Sequence, residues 1–400
     1  MNPYLSSLQP YPFQKLRALF AGVTPSPAYS PINLSIGEPK HATPEFIKTA
    51  LINNLDGLAS YPLTAGLPTL RTAIANWVAR RYDIATPDIE TQILPVNGSR
   101  EALFAFAQTV IDPCRTEPVV ISPNPFYQIY EGAALLAGAR PYYLPTTPEN
   151  NYQMDFGNVP ESILTRTQLV YVCSPGNPTG KVMSLDEWRA LFVLSDRYNC
   201  VIAADECYSE IYFDETQPPL GALQAALQLG RSDYKNLVVF SSLSKRSNVP
   251  GMRSGFVAGD AAVIAKFLLY RTYHGSAMSP SIQLASAAAW DDEAHVVENR
   301  RLYSEKFAAV QPLLNAPMPD AAFYLWMRVP NGDDAEFARQ LYQDYHVTVL
   351  PGSYLARDVD GSNPGKGFIR IALVAPLAEC IAAAQRIQQL ITQLTNQLTT

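Results

Sequence analysis

The chain predicts an α/β fold, with a mostly parallel central sheet in one large domain and a smaller α+β domain built from both ends of the chain. Three observations predict it. Short apolar strand-like runs alternate with amphipathic helical stretches from about residue 45. That alternation stops near residue 290. Polar residues fall just past the ends of the strand-like runs, where open α/β sheets bind ligands. The boundaries read as 45–290 for the large domain, and 1–44 with 291–400 for the small one.

In chain order, residues 1–44 are rich in proline and read as an irregular arm ending in Ser35-Ile-Gly-Glu-Pro39. Residues 69–82 place Leu70, Ile74, Trp77, Val78 and Tyr82 along one helical face. Strands are expected at Val119-Val-Ile-Ser122, Leu169-Val-Tyr-Val-Cys173, Val201-Ile-Ala-Ala-Asp205, Leu237-Val-Val-Phe-Ser241 and Gly255-Phe-Val-Ala258. Ser184-Leu-Asp-Glu187 is a capping box that opens a helix running to Tyr198. Beyond residue 290 the pattern predicts a helix over 291–314, a strand over 322–328, a helix over 335–345, short strands, and a terminal helix over 377–398.

The apolar fraction of 48% is ample for a sizeable core, and the net charge of −6 argues against a nucleic-acid backbone or an anionic membrane as partner. The five cysteines are odd in number and scattered, and the four histidines form no HExxH or Cys/His cluster, so no metal is expected. Three cysteines sit in or beside apolar runs and are expected to behave as small hydrophobes. The amino terminus lacks a basic n-region and an apolar h-region, so a reducing cytoplasm is the default. No apolar stretch approaches the roughly eighteen residues of a membrane span.

Lys245 follows the Leu237 run, hemmed by Ser242 and Ser244, with Arg253 eight residues on. Desolvation and a neighbouring cation lower an amine pKa, which suits a nucleophile or base; a lysine capping carbonyls at the sheet mouth is the alternative. Asn177 follows the Leu169 strand and Asp205 ends the Val201 strand, so three strands deliver an amide, a carboxylate and an amine toward one crevice. These groups suit pyridoxal phosphate. Lys245 would carry the cofactor, Asp205 would keep its ring nitrogen protonated, and Tyr208 and Asn177 would donate to its phenolate oxygen. Asp205 could equally cap a helix over 206–212, and turn chemistry alone explains Ser174-Pro-Gly-Asn-Pro-Thr-Gly180.

For the phosphate, Asn97-Gly-Ser-Arg100 follows a short strand and opens a helix, so the amides of Ser99 and Arg100 would face an anion. Ser242 and Ser244 add hydroxyls, and Arg253 adds a guanidinium fork. Phe126 and Tyr127 are candidates to stack on the ring, or else a core aromatic pair. Arg370, in the apolar run Gly367-Phe-Ile-Arg-Ile-Ala-Leu373, suits a clamp on a substrate carboxylate, with a barrel-edge or salt-bridged arginine as the alternative.

Ser242-Leu-Ser-Lys-Arg-Ser-Asn-Val-Pro-Gly-Met-Arg-Ser-Gly-Phe256 resembles the lysine signature of class I/II (fold-type I) pyridoxal-phosphate aminotransferases. Tyr61-Pro-Leu-Thr-Ala-Gly-Leu-Pro-Thr-Leu-Arg71, the Asn97 junction, the 174–180 loop, Asp205-Glu-Cys-Tyr208 and the Arg370 strand follow in the family's order, over nearly the whole chain. The resemblance implies Lys245 as the aldimine and proton-shuttle residue of a ping-pong transamination, with Asp205, Asn177 and Tyr208 on the ring and Tyr127 stacked on it. It implies Ser99, Arg100, Ser242, Ser244 and Arg253 on the phosphate, and Arg370 on the substrate α-carboxylate beside the backbone of Gly37. Tyr61 would reach the phosphate site of a neighbouring subunit, which implies a homodimer.

Within the family, residues 244–256 with 8–17 and 272–280 are similar to the branch that moves an amino group between N-succinyl-LL-2,6-diaminopimelate and 2-oxoglutarate in bacterial lysine biosynthesis. Aspartate, aromatic and LL-diaminopimelate aminotransferases and carbon–sulfur lyases are the alternatives. A distal substrate carboxylate calls for a further cation, with Arg17, Arg100, Arg271 and His274 as candidates. Ser242-Leu-Ser-Lys245 is also an SxxK, but no SDN or KTG partner occurs, and Gly176-Asn-Pro-Thr-Gly-Lys181 lacks P-loop spacing. A transcription regulator with an aminotransferase-like sensor would need a basic amino-terminal DNA-binding domain, for which the start of the chain leaves no room.

Overall fold

The computed structural model describes residues 1–399. In chain order its strands are β1 (Ile32–Asn33), β2 (Ile93–Val96), β3 (Val119–Asn124), β4 (Arg140–Pro145), β5 (Thr167–Cys173) and β6 (Val201–Asp205). They continue as β7 (Leu237–Ser242), β8 (Gly255–Gly259), β9 (Tyr324–Arg328), β10 (Val347–Thr348), β11 (Leu350–Pro351) and β12 (Phe368–Ala372). The main sheet has the order β2-β8-β7-β6-β5-β3-β4. β8 runs antiparallel to both its neighbours, and the pairs from β7 across to β4 are parallel.

The strands read as unbroken apolar runs because helices cover both faces of this sheet. Along β5, Val170 and Val172 join a core that contains Trp77, Trp188 and Trp290. Leu169 and Tyr171 point the other way, into a core with Phe106, Tyr130 and Phe267. β7 divides likewise, Leu237 and Val239 to the first face and Val238 and Phe240 to the second. This period-two division holds the strands in register, since a one-residue slip would exchange the two faces. Asp205 lies between Cys173 of β5 and Phe240 of β7, so the carboxyl ends of three strands come level.

A further core draws on both ends of the chain: Ile32 and Leu34 pack with Phe307, Leu325, Phe337, Ile369 and Leu390. β1 pairs with β10, and β11-β12-β9 form a small antiparallel sheet that carries Arg370 on its central strand.

Several expectations change. The proline-rich arm contains a helix over Pro12–Leu19 and a 3₁₀ turn over Pro3–Ser7, each with proline in its first turn, where the missing N–H is no loss. The helix expected from residue 291 begins at Ala294, because Asp291 ends the helix that starts at Pro280. The strand expected from 322 begins at Tyr324; Ala322 has a positive φ and its N–H donates to Ile211. Edge strand β4 carries no distinctive apolar run and lies outside the strands the sequence predicts. The 185–198 helix, its reciprocal cap between Ser184 and Glu187, and the buried face of the Pro68–Tyr82 helix are as expected. No helix among the described residues is long and apolar enough to cross a membrane.

Candidate active site

A cavity of about 560 Å³ opens at the carboxyl ends of β5, β6 and β7, between them and the small sheet. Gly37, Ser99, Arg100, Tyr127, Asn177, Asp205, Tyr208, Ser242, Ser244, Lys245, Arg253 and Arg370 all line it. Tyr61 does not; it lies fully exposed on the surface of its own chain.

Lys245 sits on a single helical turn (Leu243–Arg246) that begins where β7 stops. Its Nζ donates to the carbonyl of Gly37 at 2.7 Å. Burial pulls this amine down to about 8, with Arg370 and Arg253 acting in the same direction and Cys207 and Glu38 opposing. A Cβ at Gly37 would collide with the Tyr324 hydroxyl, so glycine is what lets this backbone approach the site.

Asp205 is buried at the end of β6, and burial pushes its carboxyl upward. Oδ2 accepts from Tyr130 Oη at 2.8 Å, and Oδ1 accepts from the Cys207 N–H at 3.2 Å. The helix expected over 206–212 is absent: the segment turns instead, with Ser209 N–H bonded to Glu206 and Ile211 N–H to Tyr208. Glu206 directs the chain away, since its carboxylate accepts from Tyr82 Oη at 2.7 Å and from the Ala222 N–H at 2.6 Å. Asp205 therefore does not cap a following helix. The turn leaves Tyr208 facing the cavity, its hydroxyl 2.8 Å from that of Tyr324.

Arg370 is 4% exposed on β12 and reaches across from the small sheet. It donates to Asn177 Oδ1 at 2.8 Å and to the carbonyl of Ser35 at 2.7 Å, and it lies 4.6 Å from the Tyr324 ring centre. Its Nε has no partner, which marks a fork with donor capacity in reserve. No carboxylate pairs with it among the described residues, so the salt-bridged structural alternative does not apply.

The anion end is built on the Ser99–Val110 helix, whose N-cap Gly98 has φ +100°. Arg253 lines the cavity and donates from Nη2 and Nε to the Glu101 carboxylate, at 2.6 and 3.3 Å, and from Nη1 to the Pro250 carbonyl at 2.9 Å. Ser242 Oγ donates to Ser244 Oγ at 2.8 Å, while the Ser99 hydroxyl accepts from Cys207 Sγ at 3.0 Å. Phe126 is buried in the core, and Tyr127 is the member of that pair that faces the cavity. Of the four cations considered for a distal carboxylate, Arg100 alone lines the cavity, with its guanidinium 5.6 Å from the Tyr11 ring centre. Arg271 is buried against the carbonyl of Ser276, and His274 is held by the Ser276 hydroxyl.

Sequence reasoning missed Tyr130, Tyr324, Tyr11 and Cys207. Cys173 and Cys207 line the cavity rather than acting only as small hydrophobes, and burial raises both thiols. A tyrosine spaced three residues after Tyr127 was the one available sign of Tyr130.

The family model for aminotransferase class I and II matches residues 29–398. The chain belongs to that family, and it is a pyridoxal-phosphate-dependent aminotransferase of fold type I. It is 33% identical, over 86% of its length and 87% of the relative's, to an LL-diaminopimelate aminotransferase of Dehalococcoides mccartyi. Its structure resembles an aminotransferase from Neisseria meningitidis with a TM-score of 0.94 and 55% identity, covering 98% of this chain and all of that one. It also resembles a probable N-succinyldiaminopimelate aminotransferase from Thermus thermophilus, with a TM-score of 0.81 and 26% identity over 95% and 98% of the two chains.

The residues present fit the cofactor. Gly98 has φ +100°, a conformation that any residue with a Cβ would strain, and a Cβ there would also displace the ends of the Arg253 and Glu101 side chains, so the cradle calls for bare backbone at this position. The same cavity also offers a buried carboxylate, Asp205, and a buried amine with a lowered pKa, Lys245.

Proposed function

We propose that this aminotransferase moves an amino group between N-succinyl-LL-2,6-diaminopimelate and 2-oxoglutarate, with Lys245 as the catalytic base and acid. The observation that carries the site reading is a desolvated Lys245 between two forks, Arg370 at one end of the cavity and Arg253 at the other.

Bound pyridoxal phosphate supplies an electron-withdrawing ring that makes the substrate α-proton acidic. Ser99, Arg100 through its backbone amide, Ser242, Ser244 and Arg253 hold its phosphate. Asp205, kept from water and steadied by Tyr130, keeps a proton on the ring nitrogen. Tyr208 and Asn177, which line the cavity, would donate to the ring oxygen, and Tyr127 would pack against the ring. Arg370 fixes the substrate α-carboxylate, with Asn177 and Gly37 beside it, which sets the α-carbon within reach of Lys245 Nζ. Lys245 takes the α-proton of the donor in one half-reaction, and in the other its ammonium form gives a proton to the α-carbon of the acceptor. In the first half-reaction the donor becomes a keto acid, and in the second 2-oxoglutarate becomes the amino acid. Arg100, at the mouth beside Tyr11 and Tyr127, is the cation we assign to the distal carboxylate.

We also propose a homodimer in which Tyr61 completes the partner's phosphate site. Ile52, Leu55, Leu58, Tyr61 and Leu63 leave an apolar stretch exposed on one protomer, as expected of a face that a second copy covers. The division into 45–290 and 1–44 with 291–400 is likewise our reading. It is supported by packing of the Pro280–Asp291 helix on the Pro68–Tyr82 helix, and of the Ala294–Leu314 helix on the terminal one.

A second reading, unsuccinylated LL-diaminopimelate as donor, is favoured by the name of the Dehalococcoides relative. Turnover of succinyldiaminopimelate, LL-diaminopimelate, aspartate and phenylalanine with 2-oxoglutarate decides between them. The succinylated donor should give the highest kcat/KM; a clear win for aspartate or for the free diaminopimelate overturns the assignment.

A further inference from the structure

Lys306 is a lysine 3% exposed, on the Ala294–Leu314 helix, with no carboxylate paired to it among the described residues. Its Nζ lies 2.7 Å from His41 Nε2 and 3.3 Å from the carbonyl of Val374, and 5.0 Å from the Tyr303 ring centre. Burial lowers this amine to about 8. A buried amine without a counter-charge is a cost to stability, so packing alone does not account for it.

The contacts around it run in one direction. A lysine ammonium only donates, which makes His41 Nε2 the acceptor and leaves the imidazole proton on Nδ1. His41 Nδ1 is 2.7 Å from Asn299 Oδ1, and Asn299 Nδ2 donates to the backbone carbonyl of Lys245 at 3.2 Å. Asn248 Nδ2 donates to the same Asn299 oxygen at 3.1 Å, and Thr43 Oγ1 donates to the Asn248 carbonyl at 3.0 Å. The line ends at Val374, just past the strand that carries Arg370.

Segment 35–41 lies at the centre of these contacts. The Ser35 carbonyl accepts from Arg370 and the Gly37 carbonyl from Lys245 Nζ, while His41 ties the far end of the segment to Lys306 and Asn299. We infer that His41 and Lys306 are positioning residues of the aminotransferase. They clamp segment 35–41 so that its two carbonyls meet Lys245 and Arg370 together. This rests on the roles proposed above for those two residues. The charged or titratable groups facing Lys245 are Cys207, Asp205, Arg370, Glu38 and Arg253. Those facing Lys306 are His41, Tyr303 and Cys380, and those facing His41 are Lys306, Glu298 and Tyr303, whose ring centre is 4.6 Å from the imidazole.

The test uses the holoenzyme and the variants Lys306→Met, His41→Leu, their double, and His41→Gln. Methionine fills the lysine's space without a buried amine, so the melting temperature of Lys306→Met should hold or rise. Its kcat should nonetheless fall about ten-fold, since small displacements of reacting groups are costly. The double variant should lose no more than either single, and His41→Gln, which keeps a donor and an acceptor, should recover most of the rate. The midpoint pH of the bound cofactor's visible absorbance should shift downward, because Gly37 and Glu38 both favour positive charge at the Lys245 nitrogen. Unchanged kinetics in Lys306→Met, or losses that merely track a lower melting temperature with the midpoint unmoved, overturn the inference. Borohydride trapping in the wild type tests the underlying reading separately: added mass away from Lys245 sinks the site assignment, whatever the variants do.

Discussion

Lys245 must shed its proton to act, and the protein arranges this chiefly by removing water. The amine is brought from the ordinary lysine value of 10.5 to about 8, with burial as the main cause. The folded value is depressed, so the neutral amine prevails above pH 8 and the ammonium below it. Cofactor uptake by the apoprotein, followed by growth of the visible band, should speed up about ten-fold per pH unit below 8 and level off above it. A rate still climbing at pH 10 would mean that Lys245 is not desolvated. Lys245→Ala should lower kcat by roughly 10³-fold or more. Arg370 uses its geometry rather than its charge alone, because its fork touches Asn177 and Ser35 at once. Arg370→Lys keeps the charge and loses the fork, and should cut kcat/KM by about 10²-fold, mainly through KM for the amino donor. An equal loss with an amine donor lacking the carboxylate would show that Arg370 acts on something else.

At the scale of elements, the cradle for the cofactor phosphate is a strand, a glycine and a helix start. Gly98 adopts φ +100°, and the space where a Cβ would stand is taken by Arg253 and Glu101. Gly98→Ala should weaken pyridoxal-phosphate binding by about ten-fold or more, as read by spectroscopic titration, because strain of about 1–3 kcal/mol falls on the anion-binding backbone. Ser184→Ala is the contrast: loss of that cap should cost about 1 kcal/mol in denaturant unfolding and leave cofactor affinity alone. Elements set by local rules were legible in the sequence, as with the Ser184 cap and the apolar β5, β6 and β7. That Lys245, Asp205 and Asn177 would meet at one cavity was legible for the same reason, each being a polar residue at or just beyond the end of such a strand. What escaped depended on distant partners. Tyr130 meets Asp205 across 75 positions and Tyr208 meets Tyr324 across 116, and no local pattern encodes either contact. Glu-Cys-Tyr-Ser-Glu-Ile-Tyr, residues 206–212, has the composition of a short helix. Its conformation is decided instead by Tyr82, 124 positions from Glu206, and by the Ala222 amide. Tertiary hydrogen bonds to one buried carboxylate outweighed helix propensity there.

At the scale of the whole molecule, the cavity of one protomer does not include Tyr61, which stands fully exposed beside Leu58 and Leu63. If Tyr61 serves the partner's phosphate site, each active site takes its lysine from one chain and its tyrosine from the other. That division can be tested by mixing two defective proteins. Tyr61→Ala should bind pyridoxal phosphate weakly and Lys245→Ala should not turn over, so each homodimer alone is impaired. Unfolding an equal mixture and refolding it makes roughly half the dimers hybrid, by random association. In a hybrid, the subunit that keeps Lys245 receives Tyr61 from its partner, and that one site is whole; the other lacks both groups. Activity at limiting cofactor should therefore return to about a quarter of the wild-type value, one sound site in two for half of the dimers. If Tyr61 acted within its own chain, every site in the mixture would still lack one of the two groups, and no activity would return. The mixture thus separates sharing of sites between protomers from simple association, which a size measurement alone would not do.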